Sequence, residues 1–304
     1  MKLQQFEQAT AFFNESLTLK LLAQAKEPAN TTLIGDIADT RSWLASAALA
    51  QGDIWQAIEI HKKIQSEFQL FSKTKEPDGY LLDKVFGSYR NLSALLGYQG
   101  LTYEAFELNY LAQQLLEKAL QLDPESEVWH IDLFNIKLQL MRLNAELKDP
   151  RVYYTPELLK TQFESNRKRL SETHYSNLFR VWFVESARYY QMSAQWDKSA
   201  ELLRQALPFY RENFKQNFED RDWRYYLADI ELVNAIQLRH EMNFEQSKQA
   251  CHQVKELLEP LRQGDKKPQY SHPYAIALSC LGELDQNVTL RQQIERSGLV
   301  IEKL

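Results

Sequence analysis

Four short stretches of the chain share one cadence: GDIWQAI at 52 to 58, GLTYEAF at 100 to 106, AQWDKSA at 194 to 200 and MNFEQSK at 242 to 248. Each opens on a small or flexible residue, passes an aromatic and a charged or amide pair, and closes near a small residue. They are 48, 94 and 48 residues apart. A fixed period of this length predicts stacked copies of one supersecondary unit, each burying its apolar face against its neighbours. The gap of nearly twice 48 predicts a further unit between the second and third copies.

The unit is helical. Apolar residues recur at i, i+3, i+4 and i+7 almost throughout, and strict alternation is nearly absent. Glycine makes up 9 of 304 residues, about 3% against a usual ~7%, so sharp turns are few. The pattern predicts helices over 2–26, 36–50, 54–71, 79–98, 102–122, 126–147, 156–170, 172–192, 196–215, 220–241, 244–261, 272–282 and 286–297. Eight of the nine prolines fall between these segments or at their ends, where proline is tolerated. Pro208 is the exception and predicts a kink.

Aligned on their first residues, the four copies place Ala45, Ser93, Ala187 and Ala235 seven positions back. Ala57, Ala105, Ser199 and Ser247 stand five positions forward, and Ile64, Ala112, Ala206 and Val254 twelve forward. Small residues at matched points of two antiparallel helices let their backbones approach closely. Each copy therefore marks the turn of a helical hairpin.

These residues resemble the tetratricopeptide repeat, a helix–turn–helix unit with small residues at its eighth and twentieth positions. Leu92 and Leu96 occupy its seventh and eleventh positions in the second copy, and LLEKALQLDPES at 115 to 126 is similar to the end of such a unit. The period of about 48 exceeds the usual 34 and resembles a long-period bacterial subgroup. LDPESEVWHIDL, through Trp129, and NFEDRDWRYYLAD, through Trp223, are similar to its unit boundaries. The resemblance implies an all-α solenoid of hairpins wound into a right-handed superhelix, read as one domain over 1–304. Its full hairpins are 36–71, 79–122, 126–170, 172–215 and 220–261. Residues 2–26 match a second helix, so the chain is read as the C-terminal part of a larger bacterial signalling or regulatory protein; a lone capping helix is the alternative. Residues 272–297 form a closing hairpin. A linker pair at 126–170 between two separate bundles is the alternative to a fifth unit.

Chemistry is sparse. The sequence holds no HExxH, P-loop or GxSxG pattern and no paired metal-ligand spacing, so no catalytic, cofactor or metal residue is assigned and the chain is not read as an enzyme. A net charge of −5 and a pI near 5.8 argue against nucleic acid as the partner. The basic run NRKRL at 166 to 170 reads as a solvated helix end. Cys251 and Cys280 read as two unlinked core residues in a reducing compartment. With no apolar run of membrane-spanning length and no leader pattern, the chain is read as cytoplasmic and not membrane-inserted.

What the resemblance implies is a groove lined by the first helices, taking a partner protein, peptide or helix. Its positions, carried over copy by copy, are Arg90 and Tyr98, then Lys137 and Asn144, then Arg188 and Gln191, then Arg239 and His240. The first copy offers only Ser42, Ser46 and Leu49. Cations aimed into one groove of an acidic protein point to an acidic partner segment; arginines paired internally with neighbouring Asp and Glu are the other reading. The chain is expected to act as an interaction module or scaffold, with a stand-alone peptide-sensing regulator or adaptor as the alternative.

Overall fold

The structure is a computed structural model describing residues 3–301. It is 82% helical, and no strand occurs among the described residues. The helices are α1 (Leu3–Gln24), α2 (Thr31–Gln51), α3 (Ile54–Ser72), α4 (Gly79–Tyr98), α5 (Thr102–Leu122), α6 (Glu127–Leu147), α7 (Pro156–Ser165), α8 (Glu172–Met192), α9 (Trp196–Gln216), α10 (Arg221–His240), α11 (Phe244–Arg262), α12 (Pro268–Leu281) and α13 (Val288–Ser297). Consecutive packed helices of this kind make an all-α helical repeat of the solenoid type.

The repeated turn has a backbone signature. Gly52, Gly100, Ala194 and Met242, the first residues of the four echoes, all adopt the left-handed region, with φ of 89°, 73°, 56° and 61°. Lys148 joins them at φ 53°, 48 residues after Gly100. It marks a fifth turn inside the long gap, and Gly282, at 73°, marks a sixth. This conformation is natural for glycine and unfavourable for Ala, Lys or Met, so it persists where packing on both sides dictates it. At the first turn, Gly52 donates its N–H to Ala48 and Leu49, and Asp53 then caps α3 by accepting the Gln56 N–H at 3.0 Å. One residue ends a helix and the next starts its partner.

The small residues lie where the two helices of a hairpin touch. Ala45, Ala187 and Ala235 are fully buried and Ser93 nearly so, as are Ala57, Ala105, Ser199 and Ser247. The Ser93 hydroxyl donates to the Ala105 carbonyl at 2.7 Å, and the Ser247 hydroxyl to the Ala235 carbonyl at 2.9 Å. These bonds cross from one helix to the other and require the backbones to be adjacent.

The described contacts fall into two compact units, one up to Ile136 and one from Lys137 onward, with the boundary inside α6. In the first unit α1 packs on α2, α2 on α3, α3 on α4 and α4 on α5, while α2 also touches α4. In the second, α8 through α12 follow the same rule: each second helix packs on the first helix of the next hairpin, and α8 meets α10 as α10 meets α12.

Most helix boundaries fall within two residues of the sequence pattern. Three differ. α2 begins at Thr31, five residues early, capped by Asn30. Gly35 sits in its second turn because a Cβ there would lie 2.6 Å from the Tyr80 ring, so a residue that weakens the helical pattern is a close-approach site. α12 begins at Pro268 and runs through Pro273. α7 stops at Ser165, and residues 167–169 form a 3-10 turn. α9 continues through Pro208 as one helix.

The cysteine reading is corrected. Cys251 on α11 and Cys280 on α12 are disulfide-bonded, with Cα atoms 6.5 Å apart and both side chains buried. Their 29-residue separation hid the pairing, because α11 and α12 run antiparallel and bring the two positions level. One support for a reducing compartment is thereby removed. No described helix is long and apolar enough to cross a membrane.

Two expectations follow from the core. Cys280→Ala frees the α11–α12 link and should lower unfolding free energy by about 2–4 kcal/mol; thermal melts should show the loss in oxidised protein and show little difference under reductant. His61, 1% exposed, faces the Ser88 hydroxyl at 3.1 Å, and burial pulls its pKa down to about 4. The unfolded chain therefore takes up a proton that the native state refuses. This stability is fully present above the ordinary histidine value of ~6.5 and is lost as pH falls toward 4. His61→Gln should flatten the fall in melting temperature across that window; an unchanged pH slope would refute it.

Candidate functional site

Side chains from successive first helices meet in polar rungs. In the first unit the Tyr80 hydroxyl on α4 donates to Asp36 on α2 at 2.6 Å, and Lys84 lies 3.8 Å from Asp39. The hydrogen bond to Asp36, helped by burial and by the charges of Asp36, Asp39 and Asp83, pushes the Tyr80 pKa up to about 12. One unit on, the Trp129 indole N–H on α6 donates to Asp83 at 3.3 Å, and Arg90 pairs with Asp132 at 3.2 Å. Burial raises the Asp132 pKa, Arg90 draws it back, and Asp83 adds to the rise.

In the second unit the rungs fuse into one line across three helices. Arg142 on α6 forms an ion pair with Glu185 on α8 at 2.7 Å, and Arg188 donates to Glu185 at 3.0 Å and to Asp229 on α10 at 2.5 Å. Burial opposes the charge on Arg188, but Asp229 and Glu185 outweigh it and hold its pKa above the usual arginine value. Gln191 is buried and donates to the Val233 carbonyl at 3.0 Å.

The expected groove cations are therefore placed as follows. Arg90 and Arg188 each hold their own carboxylates, so the unpaired state that an acidic partner would need is absent at both. Arg90 also lies 5.4 Å from the Phe86 ring. Lys137 stands 5.6 Å from the Tyr154 ring. Arg239 lies 5.9 Å from the Phe244 ring, and His240 stacks on Trp196 with centroids 3.8 Å apart. Tyr98 is half-buried at the end of α4. Asn144 does not point along the helix face: its amide donates to the Asp149 and Val152 carbonyls at 3.1 and 2.7 Å, and its oxygen accepts the Asp149 N–H. It pins the loop after Lys148.

That loop, with the turn after α8, walls a cleft of about 670 Å³. Tyr153, Tyr154, Tyr189 and Met192 give it an aromatic and apolar lining, Asn144 and Gln195 a polar edge. Tyr153 is 76% exposed and Met192 41%. Exposed aromatic and thioether side chains around a concavity are what recognition sites present to a partner. The histidines nearest to other chemistry are occupied: His61 with Ser88, His130 with the Pro124 carbonyl at 2.8 Å and His272 with the Val300 carbonyl at 2.8 Å.

Sequence reasoning held internal pairing as its second reading of these cations and did not name the acids; Arg90 and Arg188 follow that second reading. The signal was present: Arg90 to Asp132, Arg142 to Glu185 and Arg188 to Asp229 are 42, 43 and 41 residues apart. The Tyr80–Asp36 and Trp129–Asp83 rungs, 44 and 46 residues apart, also fall short of 48 although there the acid comes first in the chain, so a rung joins positions offset along neighbouring first helices. The cleft had no such signal, since its loop breaks the repeat.

No protein-family model matches the chain, and no curated protein matches it. Among solved structures it is similar to BtubC (BKLC) from P. vanneervenii, at 14% identity, over 96% of this chain and 89% of that one, with a TM-score of 0.35.

Arg188 tests the rung reading. Removing it strands Asp229 with a part-buried charge and leaves Glu185 with Arg142 alone, so Arg188→Met should cost about 3 kcal/mol. Arg188→Glu should cost more, because it places a third carboxylate between them. A groove residue free of the framework would leave the melting temperature unchanged.

Proposed function

We propose that the chain is a non-catalytic protein-interaction module of the tetratricopeptide type, holding a partner peptide or helix against its first helices. It would serve as the repeat region of a larger bacterial signalling or regulatory protein. The 48-residue spacing of left-handed turns at Gly52, Gly100 and Lys148 supports the repeat assignment. The line Arg142–Glu185–Arg188–Asp229 carries the interaction reading: it ties α6, α8 and α10 into one preorganised surface, and preorganisation lowers the ordering cost of binding.

The partner is then recognised less by charge than by shape. With Arg90 and Arg188 neutralised within the fold, an acidic segment loses two of the cations the groove would offer it. The tyrosine-lined cleft offers more: three rings that present large contact area at low conformational cost. An apolar or aromatic side chain of the partner would anchor there, with its backbone bonding the polar edge.

Affinity capture with the whole chain tests this. The wild-type chain should retain its partner as salt rises from ~0.1 to ~1 M, where the Debye length falls from ~10 to ~3 Å. A Tyr153→Ala chain should lose at least about tenfold in affinity, the size of a hot-spot truncation, with an unchanged melt. Binding that collapses with salt and ignores Tyr153 would return the acidic-segment reading to favour. Turnover abolished by a single histidine or carboxylate substitution would end the non-catalytic one.

A further inference from the structure

The joint between α11 and α12 is covalent, and it uses a position that recurs along the chain. Cys251 stands nine residues past the left-handed Met242. The same offset from Gly52, Gly100 and Ala194 gives His61, Asn109 and Leu203, which are 1%, 1% and 2% exposed. At the first of these the joint to the next hairpin is a polar contact, His61 with the Ser88 hydroxyl of α4. At the last it is a disulfide, with Cys251 0% and Cys280 8% exposed. Val254 and Leu258 on the same stripe of α11, and Ala277 one turn before Cys280, are fully buried. Lys255 with Glu283, and the Arg262 guanidinium over the Tyr274 ring, continue the same interface. The sequence contains no other cysteine.

We propose that Cys251 and Cys280 are an oxidation site, loaded by thiol–disulfide exchange with an external disulfide while the chain folds and sealed afterwards, so that the protein matures in an oxidising compartment. The exchange needs a thiolate and a path to it. One cysteine loses its proton to water and attacks a sulfur of the oxidant, forming a mixed disulfide and releasing one oxidant thiolate. The other cysteine, likewise deprotonated, attacks the protein sulfur of that mixed disulfide. This closes the Cys251–Cys280 bond and releases the second thiolate. Two electrons have then passed to the oxidant, which leaves as two thiols. Once α12 lies on α11 the route is shut: no oxidant reaches Cys251, and apolar surroundings disfavour the thiolate. The order of events therefore decides the product. Among abundant free thiols the chain would close with both cysteines reduced and keep them so, whereas the bonded pair requires oxidant before closure. The seal acts on the reverse reaction too, since an external thiol reaches the bond only when the two helices open locally. The tyrosine cleft plays no part in this, so the two readings stand or fall separately.

Acid quenching of the cells that make the protein, followed by maleimide labelling of the whole chain in denaturant, reads its state directly. The chain should take no label before reduction and a label on each of Cys251 and Cys280 after it. Label taken up before reduction overturns the proposal. The seal is measured on the purified, oxidised chain with reduced glutathione as the attacking thiol. Thiols should appear at least about tenfold more slowly in the native chain than in one unfolded by guanidinium chloride, because attack waits for local opening. Equal rates overturn the sealed placement. A Cys280→Ser chain, its helix content checked by circular dichroism, isolates the forward reaction. Its remaining thiol, Cys251, should join oxidised glutathione at least about tenfold more slowly in the folded chain than in the unfolded one. A Cys251 modified as fast in the folded chain removes the need for oxidation before closure, and the compartment inference falls with it. The first two measurements need no variant and decide the matter even where that one does not fold.

Discussion

The close approach of two helix backbones at a pair of small side chains organises this chain. Where Ser93 reaches the Ala105 carbonyl and Ser247 the Ala235 carbonyl, no bulk separates the helices, and the turn between them has no length to spare. The left-handed residue follows from that shortage. Turns of two or three residues reverse the chain here with one residue at positive φ, and Ala194 and Met242 accept that conformation although glycine would adopt it with less strain. Packing thus dictates backbone, and the repeated cadence in the sequence records the packing.

A second constraint acts between hairpins. Neighbouring first helices run alongside each other, and their long polar side chains cannot all be solvated in the seam. Pairing resolves this at three of them: Arg90, Arg142 and Arg188 are each matched to a carboxylate one unit along, while Arg180 lies over the Tyr226 ring of α10. Part-buried pairs of this kind add little net stability over apolar contacts, yet breaking one is costly. They are better understood as fixing which helix lies beside which. The positions that look like ligand-binding cations when one unit is read alone are, when two are read together, half of a joint.

Much of the architecture was legible because helical period, proline placement and small-residue register agree with one another. The four echoes located four turns, and the helices drawn from periodicity match α4, α5, α8 and α9 almost residue for residue. What stayed hidden involved partners distant in sequence. Gly35 weakens the start of α2 in any local reading, and only the Tyr80 ring explains it. Cys251 and Cys280 carry no motif, and only the antiparallel run of α11 and α12 sets them level. The acids of the rungs were ordinary surface carboxylates until their spacing was compared with the period.

The degenerate fifth hairpin shows how a site can arise from a broken rule. Its turn residue, Lys148, keeps the left-handed conformation, but the matched positions seven back and five forward are Met141, fully buried, and Tyr153, almost fully exposed. A methionine where the other copies have Ala or Ser holds the second helix away. The chain must then travel before it can turn helical again, and it does so through residues 148–155, pinned by Asn144 and ended by the Thr155 cap on Leu158. α7 is accordingly only 10 residues long. The space that a full second helix fills in the other hairpins is here the cleft beside Tyr153, Tyr154 and Tyr189. The unit that lost its sequence cadence thus leaves a cleft with an aromatic lining.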